Sequence, residues 1–328
     1  MTSRPSVVVY SEADLRQRVG CDQAALAAVS EAFTWWSKGR AEMPPVMHFD
    51  VAGHGDVDIK GAYVAGQDRF AVKIASGFFG NVDLGLPTGS GLMLVLSART
   101  GFCEAVLLDN GYLTDLRTGL AGAVAAQHLA PAQIDTVGVV GSGTQARFQV
   151  EALRLVRSFR RLLVWSRQPS HAEAYRREMA SRLGNEVEIS CLTDLRRLAA
   201  ESQCLITTTP ARAPLLTARD LRPGMHITAV GADLPGKGEL SPDLLGAADL
   251  LVCDARSQAE RLGELQQLAQ ADGDRPSVAE TVELGEILLG RHPGRRHADE
   301  ISVCDLTGLG TQDTAIARFA LSRLGPSP

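Results

Sequence analysis

Lysine is almost missing from this chain. Of 33 basic residues only Lys38, Lys60, Lys73 and Lys237 are lysines, and arginine carries the ordinary surface charge. A lysine inside an apolar segment therefore needs a reason. The six cysteines form no C-x-x-C pair, and the histidines show no H-E-x-x-H or similar spacing. This excludes the common zinc patterns, so no metal is expected. Scattered cysteines of this kind read as reduced thiols in the cytoplasm. No apolar run approaches the ~20 residues that a membrane helix needs. The N-terminal residues MTSRPSVVVY lack the apolar core of a secretory signal. No basic tract interleaves with aromatics, and a net charge of −5 gives no reason to expect nucleic acid. Internal repeats and low-complexity segments are absent as well.

What is present divides in two, and 328 residues suffice for two cores. The front begins with a strand (Ser6–Tyr10), a helix start at Ser11–Asp14, and an amphipathic helix over Cys21–Lys38 with Asp22 as its cap. Strand-like runs follow at Val46–Val51, Val57–Val64, Phe70–Ile74, Gly91–Ser97 and Cys103–Asp109, separated by turn residues. That is antiparallel hairpin material. The glycine-rich stretch Ser76–Gly91 reads as an irregular, functional loop. Thr114–Leu129 is an alanine-rich helix suited to a hinge.

From Ile134 the rhythm changes to strand–helix alternation. Strands are expected at Asp135–Val140, Leu162–Ser166, Val187–Ser190, Cys204–Thr208, His226–Val230 and Leu250–Cys253. Helices follow over Ser257–Ala269 and Ser277–Leu289, then a strand at Ile301–Asp305 and a closing helix to Leu324. The expected fold is α/β: a Rossmann-type doubly wound parallel sheet (residues 116–305) with an N-terminal α+β domain (1–115, to which 306–328 return).

The stretch DTVGVVGSGTQARFQV is the centre of that sheet. It holds Gly141-Ser142-Gly143-Thr144-Gln145-Ala146 between a strand and a helix, the G-x-G-x-x-A form of the dinucleotide fingerprint. Gly141 permits the tight turn, Gly143 lets a pyrophosphate approach the backbone, and Ala146 lets the helix pack closely. The helix N-terminus offers its N–H groups to phosphates. The second strand ends in Trp165-Ser166-Arg167 without the carboxylate usual for NAD, so NADP is preferred over NAD; the other reading of Arg167 is a solvated charge.

Lys73 alternates with apolar neighbours in Phe70-Ala-Val-Lys-Ile-Ala. Desolvated, it would have a lowered pKa and could act in catalysis; the alternative is an edge lysine reaching solvent. Arg117, in the first turn of the alanine-rich helix, either holds a substrate carboxylate or pairs with Asp115. Asp233 follows the fifth strand, where ligands bind in such sheets, and either exchanges a proton with an amine or caps a turn. Thr207, Thr208 and Thr209 end the fourth strand, and Val230 the fifth, at the cofactor's nicotinamide side.

With these residues assembled, the chain resembles the ornithine cyclodeaminase/mu-crystallin family, from Met43-Pro-Pro45 to Gln312-Asp313. VKIASGFFGN, GLPTGSG, LLDNGYLTDLRTGLAGAVAA, VGSGTQA, ADLPGKGEL and DLTGLGTQD carry the likeness. VDIKGAYVAG and LLDNGYLTDLRT are most similar to the branch linked to ectoine and hydroxyectoine utilisation. The resemblance implies a homodimer through the N-terminal domain and hydride transfer at the carbon of an amino or imino acid. It implies that Lys73 and Asp233 are catalytic, that Arg117 and Thr88 bind a carboxylate-bearing substrate, and that Leu306, Thr307 and Gly308 border the nicotinamide. Many members have an arginine just after the Met-Pro-Pro segment. Here that stretch reads Met43-Pro-Pro-Val-Met-His-Phe49, and Lys60 or His48 is expected to substitute. The expected activity is reduction of a small cyclic imino acid, or the reverse dehydrogenation. The alternatives are an ammonia-eliminating cyclodeaminase with catalytic NAD, and a non-catalytic binding protein.

Overall fold

The computed structural model describes residues 5–269 and 280–325. It divides into two compact units, Met1–Arg117 with Leu309–Pro328, and Thr118–Gly308. In chain order come β1 (Val8–Ser11), α1 (Glu12–Arg18), α2 (Gln23–Ser37), β2 (Ala41–Glu42), β3 (Met47–Val51), β4 (Gly55–Val64) and β5 (Arg69–Gly77). Next are β6 (Gly89–Ser97), β7 (Cys103–Leu108), α3 (Tyr112–Leu129), β8 (Thr136–Val140), α4 (Thr144–Leu153), β9 (Arg161–Trp165), α5 (Pro169–Leu183) and β10 (Glu188–Cys191). Then follow α6 (Leu195–Glu201), β11 (Cys204–Thr207), β12 (His226–Ala229), α7 (Pro242–Gly246), β13 (Leu250–Cys253), α8 (Arg256–Leu262) and α9 (Gln266–Ala269). The chain closes with β14 (Val282–Glu283), α10 (Leu284–Leu288), β15 (Ser302–Asp305) and α11 (Gly310–Leu324).

In the first unit, local capping sets the helix starts. The Ser11 hydroxyl accepts from the Asp14 N–H while the Asp14 carboxylate accepts from the Ser11 N–H, a reciprocal box, and Asp22 caps α2. Strands β4 to β7 form an antiparallel ladder, with β2 and β3 both pairing β4. Only β1 departs from the expected hairpins: it runs parallel to β7, because the long excursion through both helices and the ladder lets the strand re-enter in the same direction. The loop expected to be irregular contains a short 3-10 helix, Phe79–Leu84.

Helix α11 packs on β4, β5 and α2. Its close seat requires small residues: a Cβ on Gly310 would stand 2.5 Å from the Gly61 carbonyl oxygen. Thr314 pins the contact, its hydroxyl donating to Ala62 O (2.8 Å) and accepting from Ala71 N–H (3.0 Å). This seat fixes the start of α11 over the face of β5 that carries Lys73.

Among the described residues, the second unit holds an eight-stranded, wholly parallel sheet in the order β10-β9-β8-β11-β12-β15-β13-β14. Alternation divides its side chains between two cores. Val137, Val139, Leu162, Val164 and Ile206 pack with residues of α4 and α5. Val140, Leu163, Leu205 and Ile227 pack with residues of α6, α7 and α8. Helices therefore cover both faces, and the order reverses between β8 and β11, where ligands bind in doubly wound sheets.

Two expected helices need correction. Ser257–Ala269 is broken at Gly263, where a Cβ would lie 2.2 Å from Asp305 Oδ2. Within Ser277–Leu289, residues 277–279 lie outside the described residues, Val282–Glu283 is a strand beside β13, and helix survives only over Leu284–Leu288. A two-residue strand has no periodicity to read. Among the described residues, no helix is long and apolar enough to cross a membrane. None of them forms a group of three or more His, Cys, Asp or Glu side chains placed to hold a metal.

Candidate active site

The first unit buries a cluster of charge. Lys73 is 2% exposed, Arg117 5%, and Asp313 fully buried, so the cluster is not a set of surface ion pairs. Lys73 Nζ lies 3.2 Å from Asp313 Oδ1 and 3.1 Å from Oδ2. Arg117 Nε donates to the same Oδ1 at 3.0 Å, and its Nη1 donates to Gln312 Oε1 at 3.1 Å. Thus Arg117 takes Asp313, from the far end of the chain, as the partner of its Nε. Lys60 is buried and stands opposite Lys73 across the β4–β5 ladder.

Burial first, then the neighbouring Arg117 and Lys60, lower Lys73 to about 7 against the opposing pull of Asp313. Burial alone would raise Asp313, but Lys73, Arg117 and Lys60 outweigh it and hold that carboxylate below its usual range. A lysine tuned to neutrality can carry charge or release its proton. Among the described residues, the buried amide Nε2 of Gln312 has no hydrogen-bond partner.

The second unit presents the glycine turn. Gly141 has φ +117°, and its N–H donates to the Trp165 carbonyl at 2.8 Å. A Cβ there would meet Thr208 Oγ1 at 2.5 Å, whereas one on Gly143 would meet nothing within 4 Å. Gly143 is the N-cap of α4, which no side chain caps, so the helix start can present N–H groups to an anion. Ala146 is wholly buried beneath it. Thr144 is exposed and Gln145 half-buried at the same turn. Ser142 donates to Ser166 at 3.1 Å, joining the glycine turn to the end of β9, while Arg167 is exposed. Arg147 supports the turn by donating to the carbonyls of Ser142 and Gly143 at 2.7 and 2.8 Å. An open Gly143 and an uncapped helix start fit a dinucleotide pyrophosphate.

The ends of β11, β12 and β15 lie in this unit as well. After β11, Thr208 donates to the Val140 carbonyl at 3.3 Å, and Thr209 donates to Glu239 through its N–H and its hydroxyl. After β12, Val230 is buried and Asp233 is half-exposed, with Lys237 Nζ at 2.7 Å from its Oδ1. After β15, Leu306 is buried, and Asp254 Oδ2 accepts the N–H groups of Thr307 (2.8 Å) and Gly308 (2.7 Å). Gly308 has φ +81°, a conformation suited to glycine.

Of the expected substrate residues, the fold brings together Lys73, Arg117 and, across the ladder, Lys60. His48, on the exposed strand β3, stands opposite Asp58 on the same face of the ladder as Lys60 and Lys73, and its Nδ1 is 2.8 Å from Asp58 Oδ1. Thr88 lies in the loop before β6, where its carbonyl accepts from Phe78 N–H at 2.7 Å. Sequence reasoning passed over Asp313, Gln312, Glu239 and Asp254. The first three stand in the motifs DLTGLGTQD and ADLPGKGEL, so the signal was available, but nothing local marks them as partners of residues far away.

Comparison with known proteins agrees with this architecture. The model of the ornithine cyclodeaminase/mu-crystallin family matches residues 7–325, and the chain belongs to that family. A Rhizobium meliloti protein bearing the provisional name of a dehydrogenase is 45% identical over 316 residues, covering 96% of this chain and 95% of the relative. An uncharacterized cyclodeaminase of Sinorhizobium fredii is 42% identical over 321 residues, covering 97% and 96%. Among solved structures, Thermococcus litoralis Δ1-pyrroline-2-carboxylate reductase in complex with NADH and L-proline superposes with a TM-score of 0.89 at 27% identity, covering 96% of this chain and 97% of that one. An archaeal alanine dehydrogenase dimer with bound NAD gives 0.85 at 32% identity, covering 96% and 94%.

Proposed function

We propose that this protein is an NAD(P)-dependent oxidoreductase that reduces the C=N bond of a small cyclic imino acid, or oxidises the corresponding amino acid. The observation that carries the reading is the buried pairing of Lys73 and Arg117 with one carboxylate, Asp313, beside an unpartnered amide donor of Gln312. Two cations sharing one acid, on rigid strand and helix, suit a substrate carboxylate. The relatives that act on proline-like and alanine-like acids support it.

Arg117 presents its guanidinium to the carboxylate, and Lys73 adds a charge that can be withdrawn near neutral pH. Holding the substrate this way supplies part of the barrier reduction by orientation alone. Asp233, already in contact with the Lys237 ammonium, holds and returns the proton at the substrate nitrogen. Thr88 contributes from its loop, and Lys60 stands in for the missing arginine. His48, on the same face of the ladder, is held by Asp58. The glycine turn with Ser142 to Ala146, Ser166 and Arg167 would hold the nucleotide's phosphates, and Thr207 to Thr209, Val230, Leu306 and Gly308 its nicotinamide side. Bound there, the nicotinamide supplies or accepts the hydride. With Ser166 and Arg167 where NAD sites usually carry an acid, we favour NADP over NAD.

At finer grain, the imine is a tetrahydropyrimidine-type ring, as the likeness of VDIKGAYVAG and LLDNGYLTDLRT to the ectoine-utilisation branch implies. The working form is a cytoplasmic homodimer through the first unit, consistent with exposed apolar side chains there such as Val9, Phe49, Val82 and Leu84. A second reading, the cyclodeaminase, is favoured by the name of the Sinorhizobium fredii relative.

One experiment separates them. A panel of cyclic imines and diamino acids is incubated with NADH or NADPH, and the reduced-nicotinamide absorbance is followed. Stoichiometric consumption with an imine supports the reductase. Ammonia release from a diamino acid with no net absorbance change supports the cyclodeaminase, and neither result with any substrate overturns both.

A further inference from the structure

Among the described residues, four carboxyl groups lie fully buried in the second unit: Glu239, Asp254, Glu264 and Asp305. Acids are almost never so placed unless they hold something. Glu239 holds two loops at once. Its Oε1 accepts from the Thr209 N–H at 2.6 Å and hydroxyl at 2.7 Å, and its Oε2 accepts from the Gly231 N–H at 2.9 Å. The loop after β11 is thereby joined to the loop after β12. Because Gly231 and Glu239 bracket the segment that carries Asp233, the same contact closes that segment at its base.

The fit leaves no slack. A Cβ on Gly231 would stand 2.2 Å from Thr209 O and 2.3 Å from Glu239 Oε2. Glu264 fixes the clasp from behind, accepting from the N–H groups of Glu239 (2.8 Å) and Leu240 (3.0 Å). An acid that merely filled space would not satisfy donors on two separate loops while its own backbone is held by a second acid.

We propose that Glu239 is a positioning residue for the nicotinamide nucleotide: it sets the spacing between the Thr207–Thr209 strand end and the Val230–Gly231 strand end. This rests on the proposed dinucleotide site. In Glu239→Gln, one amide oxygen can keep the Thr209 donors, but the amide nitrogen then faces the Gly231 N–H, donor against donor. The second loop is released while side-chain volume is kept.

The test measures NADH and NADPH dissociation constants on the substrate-free protein by nucleotide fluorescence, with thermal unfolding alongside, for the natural protein, Glu239→Gln and Gly231→Ala. Both variants are expected to bind the preferred nucleotide about tenfold more weakly at a temperature where they remain folded, the order of one lost hydrogen bond. Gly231→Ala, which spreads the clasp from its other side, answers the question if Glu239→Gln does not fold. A folded variant that binds as tightly as the natural protein overturns the clasp alone. A natural protein that binds neither nucleotide overturns the functional reading and this inference with it.

Discussion

Lys73 and Asp313 stand 240 residues apart in the chain, yet the ammonium and the carboxylate meet in a buried pair. Lys73 comes from the middle of β5 and Asp313 from the first turn of α11. Their meeting depends on the seat of α11 over β4 and β5, pinned by Gly310 and Thr314.

Asp313→Asn leaves Lys73 and Arg117 buried with no carboxylate between them. Breaking a buried pair from one side costs about 3–5 kcal/mol. Chemical denaturation is expected to show a loss of that order, and Lys73 should lose its proton at still lower pH, since Asp313 is what holds it up. A variant as stable as the natural protein would show that the pair is not what holds this cluster.

The pH profile of kcat/KM follows from Lys73. Its ammonium, lowered to about 7, is charged below that pH and neutral above it. If the charge helps hold a substrate carboxylate, kcat/KM falls as pH rises through about 7, because this ratio reports ionisations of the free enzyme. Lys73→Met should be slow throughout and lack that limb. A natural profile flat from about pH 6 to about pH 9 would exclude the assignment.

The two glycines of the turn should fail differently. Gly141→Ala puts a side chain on a residue with φ +117° and against Thr208, so stability should drop by roughly 1–3 kcal/mol. Gly143→Ala meets no neighbour within 4 Å, so its melting temperature should match the natural protein's while nucleotide affinity falls. Calorimetry paired with nucleotide titration distinguishes the two; unaltered affinity in Gly143→Ala would remove the pyrophosphate from this turn.

Asp305 predicts a loss of stability as pH rises from about 4 to about 8. Burial first, then the nearby Asp254, raise it from 3.8 to about 8, so between those values the folded protein keeps a proton that the unfolded chain has released. Stability must then fall as pH rises across that window. Glu239, raised to about 7 chiefly by burial, acts in the same direction. Asp305→Asn cannot ionise, so its melting temperature should decline less between about pH 5 and about pH 9. Parallel curves for the two proteins would rule the effect out.

How much of this was legible beforehand varies by residue. The glycine turn was legible because its function is local: tight turn, close backbone approach and helix start fall within six residues. Alternation placed Lys73 on a strand, and its rarity among the arginines singled it out. Neither fact says which acid it meets. Arg117 shows the limit, since Asp115 was a neighbour in sequence and Asp313 is the partner of its Nε in space. His48 shows it again: nothing in the residues around Met43-Pro-Pro45 reveals that β3 pairs it with Asp58, on the ladder face that carries Lys60 and Lys73.

The sequence by itself determined the doubly wound sheet, the front α+β region and the glycine turn, because periodicity and backbone chemistry act over a few residues. Only the tertiary structure decided which charges face each other, which acids are buried in the second unit, and that Glu239 holds two loops at once. Those outcomes depend on strand order and helix seating, where residues hundreds of positions apart come within a few ångströms and burial multiplies the strength of whatever pairs they form.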